Sequence, residues 1–212
     1  ILSTQTSGFQ GYTFIDLTTS MSKYLAHWET LHEQFQGIYS GFLGSAEQVS
    51  IVEKAIEHFA DKNTLVVVDP VLGDDGVLYD TMDMQMVNHM RRLIRKADLI
   101  TPNMTEVKLL LGLPAEEIVY AEQSLPALEQ LAQLGPKTIV VTGVHKSDGG
   151  KCVCSYQRET KTYDQIDYQE LPASYPGTGD IFTSVLLGGL LQKRTLHNSI
   201  SLATEFVYHT VK

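Results

Sequence analysis

Two hydrophobic patterns alternate along the chain. Short runs rich in β-branched residues, such as 64–68 and 138–142, lack the polar alternation of a half-exposed strand, which favours strands buried on both faces of a parallel sheet. Between them, apolar residues recur every three or four positions, as in 45–59 and 125–134, and predict amphipathic helices. Strand–helix–strand repeats favour right-handed crossovers. We therefore expect an α/β fold with a doubly wound, mostly parallel central sheet flanked by helices.

The same patterns predict the remaining elements. Further strands are expected at 37–40, 99–100, 151–156 and 160–167, the last two forming a hairpin. Further helices are expected at 81–97 and 105–111, and from about residues 178 and 199 onward. Ser45 is predicted to cap one helix, with Gln48 at the reciprocal capping position, and Asn198 to cap the last.

The first 36 residues follow the patterns less clearly. A helix over 16–34 would have a buried side made of Leu17, Met21, Tyr24, Leu25, Trp28 and Leu31. No internal repeat, low-complexity linker or domain boundary interrupts the chain. We therefore predict a single domain over residues 1–212.

Composition excludes several classes of function. The chain carries 16 Lys and Arg against 25 Asp and Glu, a net charge of −9. An acidic chain without a basic cluster is a poor candidate for nucleic-acid binding. No window holds 18 uninterrupted apolar residues, as a membrane span would, and no secretory signal is recognisable. Cys152 and Cys154 face the same side of a predicted strand and are interpreted as small core residues, so the cytoplasm is the expected compartment.

The segment 177–180, Gly-Thr-Gly-Asp, is the strongest chemical signal. Two glycines allow a tight turn and a close approach of a ligand to the backbone. The helix that follows points free N–H groups and the positive end of its dipole at the turn, which favours a phosphate. Asp180 can accept a proton from a substrate hydroxyl that attacks phosphorus. The alternative is a glycine turn with an Asp helix cap.

Two acidic segments follow predicted strands. Segment 69–76 contains Asp69, Asp74 and Asp75 beside two glycines, and such a set of oxygen ligands suits a hard cation such as Mg²⁺. Its alternative is a solvated acidic turn, and Asp75 is the best candidate for a pure turn residue. Ligands of open α/β sheets bind at the carboxyl ends of the strands, where this segment lies.

The segment 101–106, Thr-Pro-Asn-Met-Thr-Glu, follows the strand predicted at 99–100. Asn103 and Glu106 are three residues apart, so they lie on the same side of a helical turn and can hold metal-bound water and a nucleotide phosphate. The alternative, a simple capped helix, would be preferred if this motif stood alone.

Taken in order, Asp69-Pro-Val-Leu-Gly-Asp74, Thr101-Pro-Asn-Met-Thr-Glu106 and Gly177-Thr-Gly-Asp180 resemble the ribokinase-like superfamily, and more narrowly the pyridoxal (vitamin B6) kinases. Segments 3–6 and 39–45 resemble that family's substrate-side segment and its next strand and turn. The resemblance implies a ribokinase-like fold and the transfer of a phosphoryl group from ATP to the 5′-hydroxymethyl group of a B6 vitamer. It also implies a homodimer.

The resemblance implies roles for the residues nearest the reaction. Asp180 would be the catalytic base and would lie beside the substrate. Gly177, Thr178 and Gly179 would form the anion hole for the transferring phosphoryl group. Thr6 would contact the pyridine ring of the substrate.

It also implies two cation sites. Asp74 and Glu106 would serve Mg²⁺, directly or through water. Asp69 and Thr101 match positions associated with a monovalent cation, K⁺ or Na⁺.

ATP would be held by a partly overlapping set of residues. Asn103 and Thr142 would lie beside its phosphates, together with Gly177 and Thr178 of the anion hole. The expected partners are thus small molecules, ATP and a B6 vitamer, with no nucleic acid and no membrane.

The chain departs from the family pattern in three ways. The family's first strand and helix, and its C-terminal end, have no counterpart here, so we expect an incomplete substrate pocket. Gln5 stands where a His is common. Two rivals remain open: a hydroxymethylpyrimidine kinase of thiamine synthesis, although those often carry Cys at the position of Asp180, and a non-catalytic nucleotide-binding relative.

Overall fold

The computed structural model describes residues 2–3, 11–115, 119–171 and 175–212. The strands found there are between 2 and 8 residues long. In chain order they are β1 (Leu2–Ser3), β2 (Phe14–Ile15), β3 (Gly37–Ser40), β4 (Leu65–Val68), β5 (Gly73–Asp74), β6 (Val77–Leu78), β7 (Leu99–Ile100), β8 (Thr138–His145), β9 (Lys151–Gln157) and β10 (Thr162–Tyr168).

Six of these strands form the central sheet, in the order β10-β9-β8-β7-β4-β3. The pairs from β3 to β8 are parallel, with Val68 opposite Ile100 and Ile100 opposite Ile139. Strands β9 and β10 add an antiparallel hairpin at one edge. The prediction of a mostly parallel sheet with a hairpin is therefore confirmed.

Seven α-helices lie in the described part of the chain. They are α1 (Thr18–Thr30), α2 (Ala46–Phe59), α3 (Met84–Leu93), α4 (Met104–Leu111), α5 (Leu125–Gln133), α6 (Thr178–Leu191) and α7 (Leu196–Val211). The helices predicted at 81–97 and 105–111 are thus present with shifted ends, and residues 94–96 form a short 3₁₀ turn.

The helices cover both faces of the sheet, so the fold is doubly wound as predicted. Side chains alternate along each strand. Val66 and Val68 of β4 pack in a core with residues of α2, α3, α4 and α5. Val67, between them, packs in a second core with Phe182 of α6 and Ile200 of α7. The sheet therefore separates two hydrophobic layers.

The two cysteines lie in the first of these layers. Cys152 and Cys154 of β9 are fully buried, and their sulfur atoms are 3.6 Å apart. Both are free thiols. The interpretation of the pair as small core residues is confirmed.

Helix ends agree with the sequence at one position and differ at another. The Ser45 side chain accepts a hydrogen bond from the backbone N–H of Gln48, so Ser45 caps α2 as predicted. Helix α7 is capped by Thr195, whose hydroxyl accepts from the backbone N–H of Asn198. The prediction that Asn198 is the cap is therefore wrong by one helical turn.

The predicted buried side of the first helix is largely exposed. Helix α1 is present, but Tyr24 is 60% exposed and Trp28 is 42% exposed. Among its described residues only Thr18 is buried. The apolar spacing predicted the helix correctly and its burial incorrectly.

The longest apolar stretch of the chain lies in α6. Phe182 and Leu186 are buried in the second core, and the helix spans 14 residues. A span across a membrane would require a longer apolar helix, and the described residues contain none.

Candidate active site

The candidate site lies at the carboxyl ends of the central strands. Asp69 directly follows β4, Thr101 follows β7, and Gly41 follows β3. Thr142 lies within β8, where it forms a parallel bridge with Asn103. The parallel strands β3, β4 and β7 end at this edge beside β8, which brings side chains from distant parts of the chain together.

Asp69 is a buried carboxylate at the centre of this edge. Burial, and next the Asp180 carboxylate, raises the pKa of Asp69 to about 7, while a hydrogen bond from the side chain of Thr101 lowers it. A Cβ atom added to Gly179 would lie 3.7 Å from Oδ2 of Asp69. The start of α6 therefore lies against the end of β4.

A second contact holds α6 at the same edge. The hydroxyl oxygens of Thr101 and Thr183 are 3.0 Å apart and buried. Thr183 lies on α6, five residues after its first residue, so the bond connects the end of β7 to that helix. Asp69 and Thr101, predicted to serve a monovalent cation, are thus neighbours.

Asp74 belongs to a small hairpin above this buried group. Strand β5 pairs with β6, and the turn between them consists of Asp75 and Gly76, both with positive φ angles. The Asp74 carboxylate is exposed and accepts a hydrogen bond from the N–H of Asp75. Asp75 is the turn residue, as expected, and Asp74 remains accessible from solvent.

Asn103 and Glu106 form a reciprocal cap at the start of α4. The Asn103 side chain accepts from the N–H of Glu106, and Oε2 of Glu106 accepts from the N–H of Asn103. Oε1 of Glu106 also accepts from the N–H of Leu72, and the Asn103 amide donates to the carbonyl of Gly73. The pair therefore anchors the loop at residues 72–73. The interpretation of this segment as a capped helix is confirmed.

The acidic side chains at this edge repel one another. Burial, and next the Asp69 carboxylate, raises the pKa of Glu106 well above its usual range, and Asp74 contributes in the same direction. Burial and the same carboxylates raise the pKa of Tyr79 to about 12. No described Lys, Arg or His forms an ion pair with Asp69, Asp74 or Glu106.

These carboxyl groups have no cationic partner among the described side chains, and a bound cation would favour their ionised form. The described residues contain no group of three or more His, Cys, Asp or Glu side chains that could hold a metal. A cation here would therefore take its remaining ligands from water and from a bound phosphate, which is how Mg²⁺ is commonly held. Asp74 is exposed and accessible to such an ion, whereas both carboxylate oxygens of Glu106 accept backbone hydrogen bonds and hold the loop that leads to Asp74.

The first turn of α6 is open at the same edge. Gly177 precedes the helix with a φ angle of +89°, a conformation that glycine adopts without strain. No side chain in the described part of the chain caps this turn. Its N–H groups are thus left to a ligand or to water, as expected for an anion site.

Asp180, in this first turn, has a partner that the sequence did not indicate. The hydroxyl of Tyr39, on β3, donates a 2.8 Å hydrogen bond to Oδ1 of Asp180. The two residues are 141 positions apart, so no local pattern could connect them. In the sequence alone, the segment that contains Tyr39 stands out only as a predicted strand and for its resemblance to a strand and turn of the pyridoxal kinases.

Most residues that the sequence singles out meet at this edge. Asp69, Thr101 and Glu106 are buried there, and Asp180 acts electrostatically on Asp69. Thr6, expected to contact a substrate ring, lies outside the described residues. The arrangement offers a carboxylate, an open helix terminus and an acidic cluster to one ligand, which is a chemistry suited to phosphoryl transfer.

Comparisons with known proteins show which family the chain resembles in sequence. A family model described as phosphomethylpyrimidine kinase matches residues 18–212. A pyridoxal kinase of Dictyostelium discoideum is 29% identical over 177 residues, which cover 78% of this chain and 57% of that protein. Pyridoxal kinase PdxY of Pasteurella multocida is 32% identical over 177 residues, which cover 79% of this chain and 59% of that protein. The chain thus spans 57–59% of the length of these relatives.

Solved structures share the whole fold. A protein of Bacteroides thetaiotaomicron, provisionally described as a phosphomethylpyrimidine kinase, is 41% identical with a TM-score of 0.94, over 99% of this chain and 72% of its own. An orthorhombic crystal form of that protein contains pyridoxal. Pyridoxal kinase of Lactobacillus plantarum is 30% identical with a TM-score of 0.86, over 98% of this chain and 73% of its own. The architecture described above is therefore that of ribokinase-like pyridoxal kinases.

Proposed function

Because the chain belongs to the phosphomethylpyrimidine kinase family, we propose that it carries the active site of a pyridoxal kinase. The reaction is transfer of the γ-phosphoryl group of ATP to the 5′-hydroxymethyl oxygen of pyridoxal, pyridoxine or pyridoxamine. Pyridoxal kinases among the relatives support this choice, as does the pyridoxal in a crystal of the 41% identical protein. The homodimer implied by the resemblance stays a prediction.

One observation carries the proposal. The Asp180 carboxylate lies in the uncapped first turn of α6, close enough to act on the pKa of Asp69 at the end of β4. A hydroxyl group that approaches Asp180 would therefore meet, in the same place, a base and the N–H groups that stabilise phosphoryl oxygens. Phosphoryl transfer requires little more of the protein than this positioning and charge stabilisation.

We assign the following roles within this reaction. Asp180 accepts the proton of the substrate hydroxyl as its oxygen attacks phosphorus. The N–H groups of Gly177, Thr178 and Gly179 stabilise the equatorial oxygens as charge redistributes, and one such donor typically contributes about 3 kcal/mol. Asn103 and Thr142, which are adjacent in the structure, are assigned to the phosphates of ATP.

The acidic cluster is assigned to cations. Asp74 and Glu106 would hold Mg²⁺, in part through water, and the ion would offset charge on the bridging phosphate oxygens. Asp69 and Thr101 would hold K⁺ or Na⁺. The raised pKa values of Asp69 and Glu106 support this assignment, since a nearby cation relieves the cost of burying their charges.

Hydroxymethylpyrimidine is the second candidate acceptor. The matching family model carries the name of a pyrimidine kinase, and it covers almost the whole chain. Both acceptors present a hydroxymethyl group on a flat ring, so the same base and anion hole serve either one. The distinction depends on residues that contact the ring, and Thr6, the predicted contact, lies outside the described residues.

The deciding experiment is a parallel panel of acceptors. ADP release is followed in a coupled assay with full-length protein, ATP and Mg²⁺, using pyridoxal, pyridoxine, pyridoxamine and hydroxymethylpyrimidine in separate reactions. Pyridoxine with its 5′-hydroxyl removed is the matched control. We expect release that depends on the B6 vitamers and is absent with the control. Release with hydroxymethylpyrimidine alone would favour the second candidate, and no acceptor-dependent release would favour a non-catalytic relative.

A further inference from the structure

The contact between Tyr39 and Asp180 joins β3, the last strand in the described order of the central sheet, to the helix that carries the proposed base. Tyr39 lies on β3, which is paired on one side with β4. Its ring packs against the core formed by the sheet, α6 and α7. Asp180, by contrast, is exposed in the first turn of α6. The hydrogen bond thus connects the exposed Asp180 side chain to a Tyr39 ring that is packed against the core.

The chemistry of the contact is one-directional. The Tyr39 hydroxyl donates to Oδ1 of Asp180 over 2.8 Å. Burial, and next the carboxylates of Asp69 and Asp180, raises the pKa of Tyr39, so the phenol stays protonated and remains a donor. Hydrogen bonds to charged acceptors are among the stronger ones in proteins. With Oδ1 engaged by the phenol, Oδ2 is the oxygen left to take a proton.

Gly41 lies beside the same contact. A Cβ atom at this position would lie 2.9 Å from Oδ1 of Asp180 and 3.0 Å from the hydroxyl oxygen of Tyr39. Real Cβ atoms essentially never come within 3.0 Å of another heavy atom, so a side chain at 41 would require the end of the Asp180 side chain to shift. The carboxylate oxygen therefore fits into space that exists because residue 41 is glycine.

We propose that Tyr39 and Gly41 are positioning residues that orient the Asp180 carboxylate for proton transfer. Tyr39 fixes Oδ1 through its hydrogen bond, and Gly41 leaves the space in which Oδ1 sits. This inference rests on the proposed function, because it concerns the base of that same reaction. We assign neither residue a contact with the transferring group.

Removing the Tyr39 hydroxyl would affect the Asp180 carboxylate in two ways, and these change the rate of proton abstraction in opposite directions. Removing a donor from a carboxylate makes it more basic, which by itself would favour proton abstraction. Removing the same donor also frees the side chain to rotate, and misplacement of a reacting group by about 1 Å can cost about 10²-fold. A fall in kcat after loss of the phenol hydroxyl therefore reports orientation.

The first test is Tyr39→Phe in full-length protein. We expect kcat to fall about tenfold, the equivalent of a hydrogen bond of about 1.4 kcal/mol, while KM for ATP changes less than about twofold. The matched control is Tyr163→Phe, which removes a phenol donor 2.9 Å from the carbonyl of Ala121, away from this edge. The control should leave kcat at the wild-type value.

The second test is a double-mutant cycle with Gly41→Ala. In the wild-type background we expect a fall in kcat of about 10²-fold, because the new methyl group displaces Oδ1. In the Tyr39→Phe background the carboxylate is free to shift and the phenol oxygen is gone, so Gly41→Ala should cost less. Gly188→Ala is the control, since nothing lies within 4 Å of its Cβ position.

The outcomes separate this inference from the proposed function. Wild-type protein that turns over no acceptor overturns both. Active wild-type protein, with Tyr39→Phe matching Tyr163→Phe in kcat, overturns the positioning role alone. A change in KM at constant kcat, or additive effects in the cycle, would likewise overturn it. Melting temperatures of all variants check that each one is folded.

Discussion

Acidic residues at the candidate site occupy two kinds of surroundings. Asp69 and Glu106 are buried, and both accept hydrogen bonds that fix the ends of β4 and the start of α4. Asp74 and Asp180 are exposed at the same edge. The hydrogen bonds of the buried pair hold the loops of this edge, whereas the exposed pair is accessible to a ligand. Substitutions of the two pairs should therefore differ in kind.

Asp180→Asn tests the base directly. The amide keeps the size of the side chain and cannot take up the substrate proton, so kcat should fall about 10²-fold or more while ATP binding is largely kept. Steady-state kinetics gives kcat, and calorimetric titration gives Kd for ATP. Asp75→Asn is the matched control, because Asp75 is a turn residue and asparagine tolerates its positive φ angle. Turnover of Asp180→Asn near the wild-type rate would show that another group takes the proton.

At the scale of single elements, α6 contains two adjacent glycines in different surroundings. Gly188 has nothing within 4 Å of its Cβ position. Gly189 is buried at the contact with α7, where a Cβ atom would lie 2.8 Å from Oγ and 3.1 Å from Cβ of Ser199. The Ser199 hydroxyl is itself bonded to the carbonyl of Thr195, so it cannot move away freely. One glycine is thus a packing requirement and its neighbour is not.

Alanine substitutions should therefore change stability in opposite directions. Gly188→Ala should raise the free energy of unfolding by about 0.5–1 kcal/mol, because alanine is the better helix former. Gly189→Ala should lower it by about 1–3 kcal/mol, because the added methyl group forces α6 and α7 apart. Urea denaturation of the two variants beside the wild type measures both changes. Equal effects of the two substitutions would contradict the packing described here.

Periodicity predicted helices better than it predicted what covers them. The apolar spacing in α1 is real, yet Trp28 and Tyr24 remain exposed, because spacing shows that a face exists and not that another element packs on it. The prediction of the N-terminal cap of α7 was wrong for a related reason. Thr195 and Asn198 are both good capping residues, and the structure shows that α7 starts directly after Thr195.

Sequence reasoning found the site where its signals are local. Asp69, Thr101 and Gly177 each adjoin the end or start of a regular element, so the parallel topology predicts that they meet. Tyr39 was missed because its partner is 141 residues away and a tyrosine on a strand is ordinarily a core residue. The double role of Glu106, as a cap and as part of an acidic cluster, required coordinates to recognise.

Across the whole molecule, the two thiols report on global unfolding. Cys152 and Cys154 are fully buried in the core between the sheet and its helices. Burial, and next the neighbouring Cys154, raises the pKa of Cys152, which further lowers its reactivity. Neither thiol should therefore react with an aromatic disulfide reagent at pH 8 until urea unfolds the chain, after which two thiols per chain should react. Rapid labelling of either one in buffer alone would contradict this burial.

The division of the molecule into two hydrophobic layers has a consequence for ligands. One layer, that of α2–α5, anchors the loops and the helix that carry Asp69, Leu72 and Glu106. The opposite layer contains α6, which carries Asp180. A nucleotide bound by residues of both layers would connect the two separately packed cores. Binding of the nucleotide would then stabilise the whole molecule and not this edge of the sheet alone. Destabilising either core would weaken the contacts that both layers make with the nucleotide.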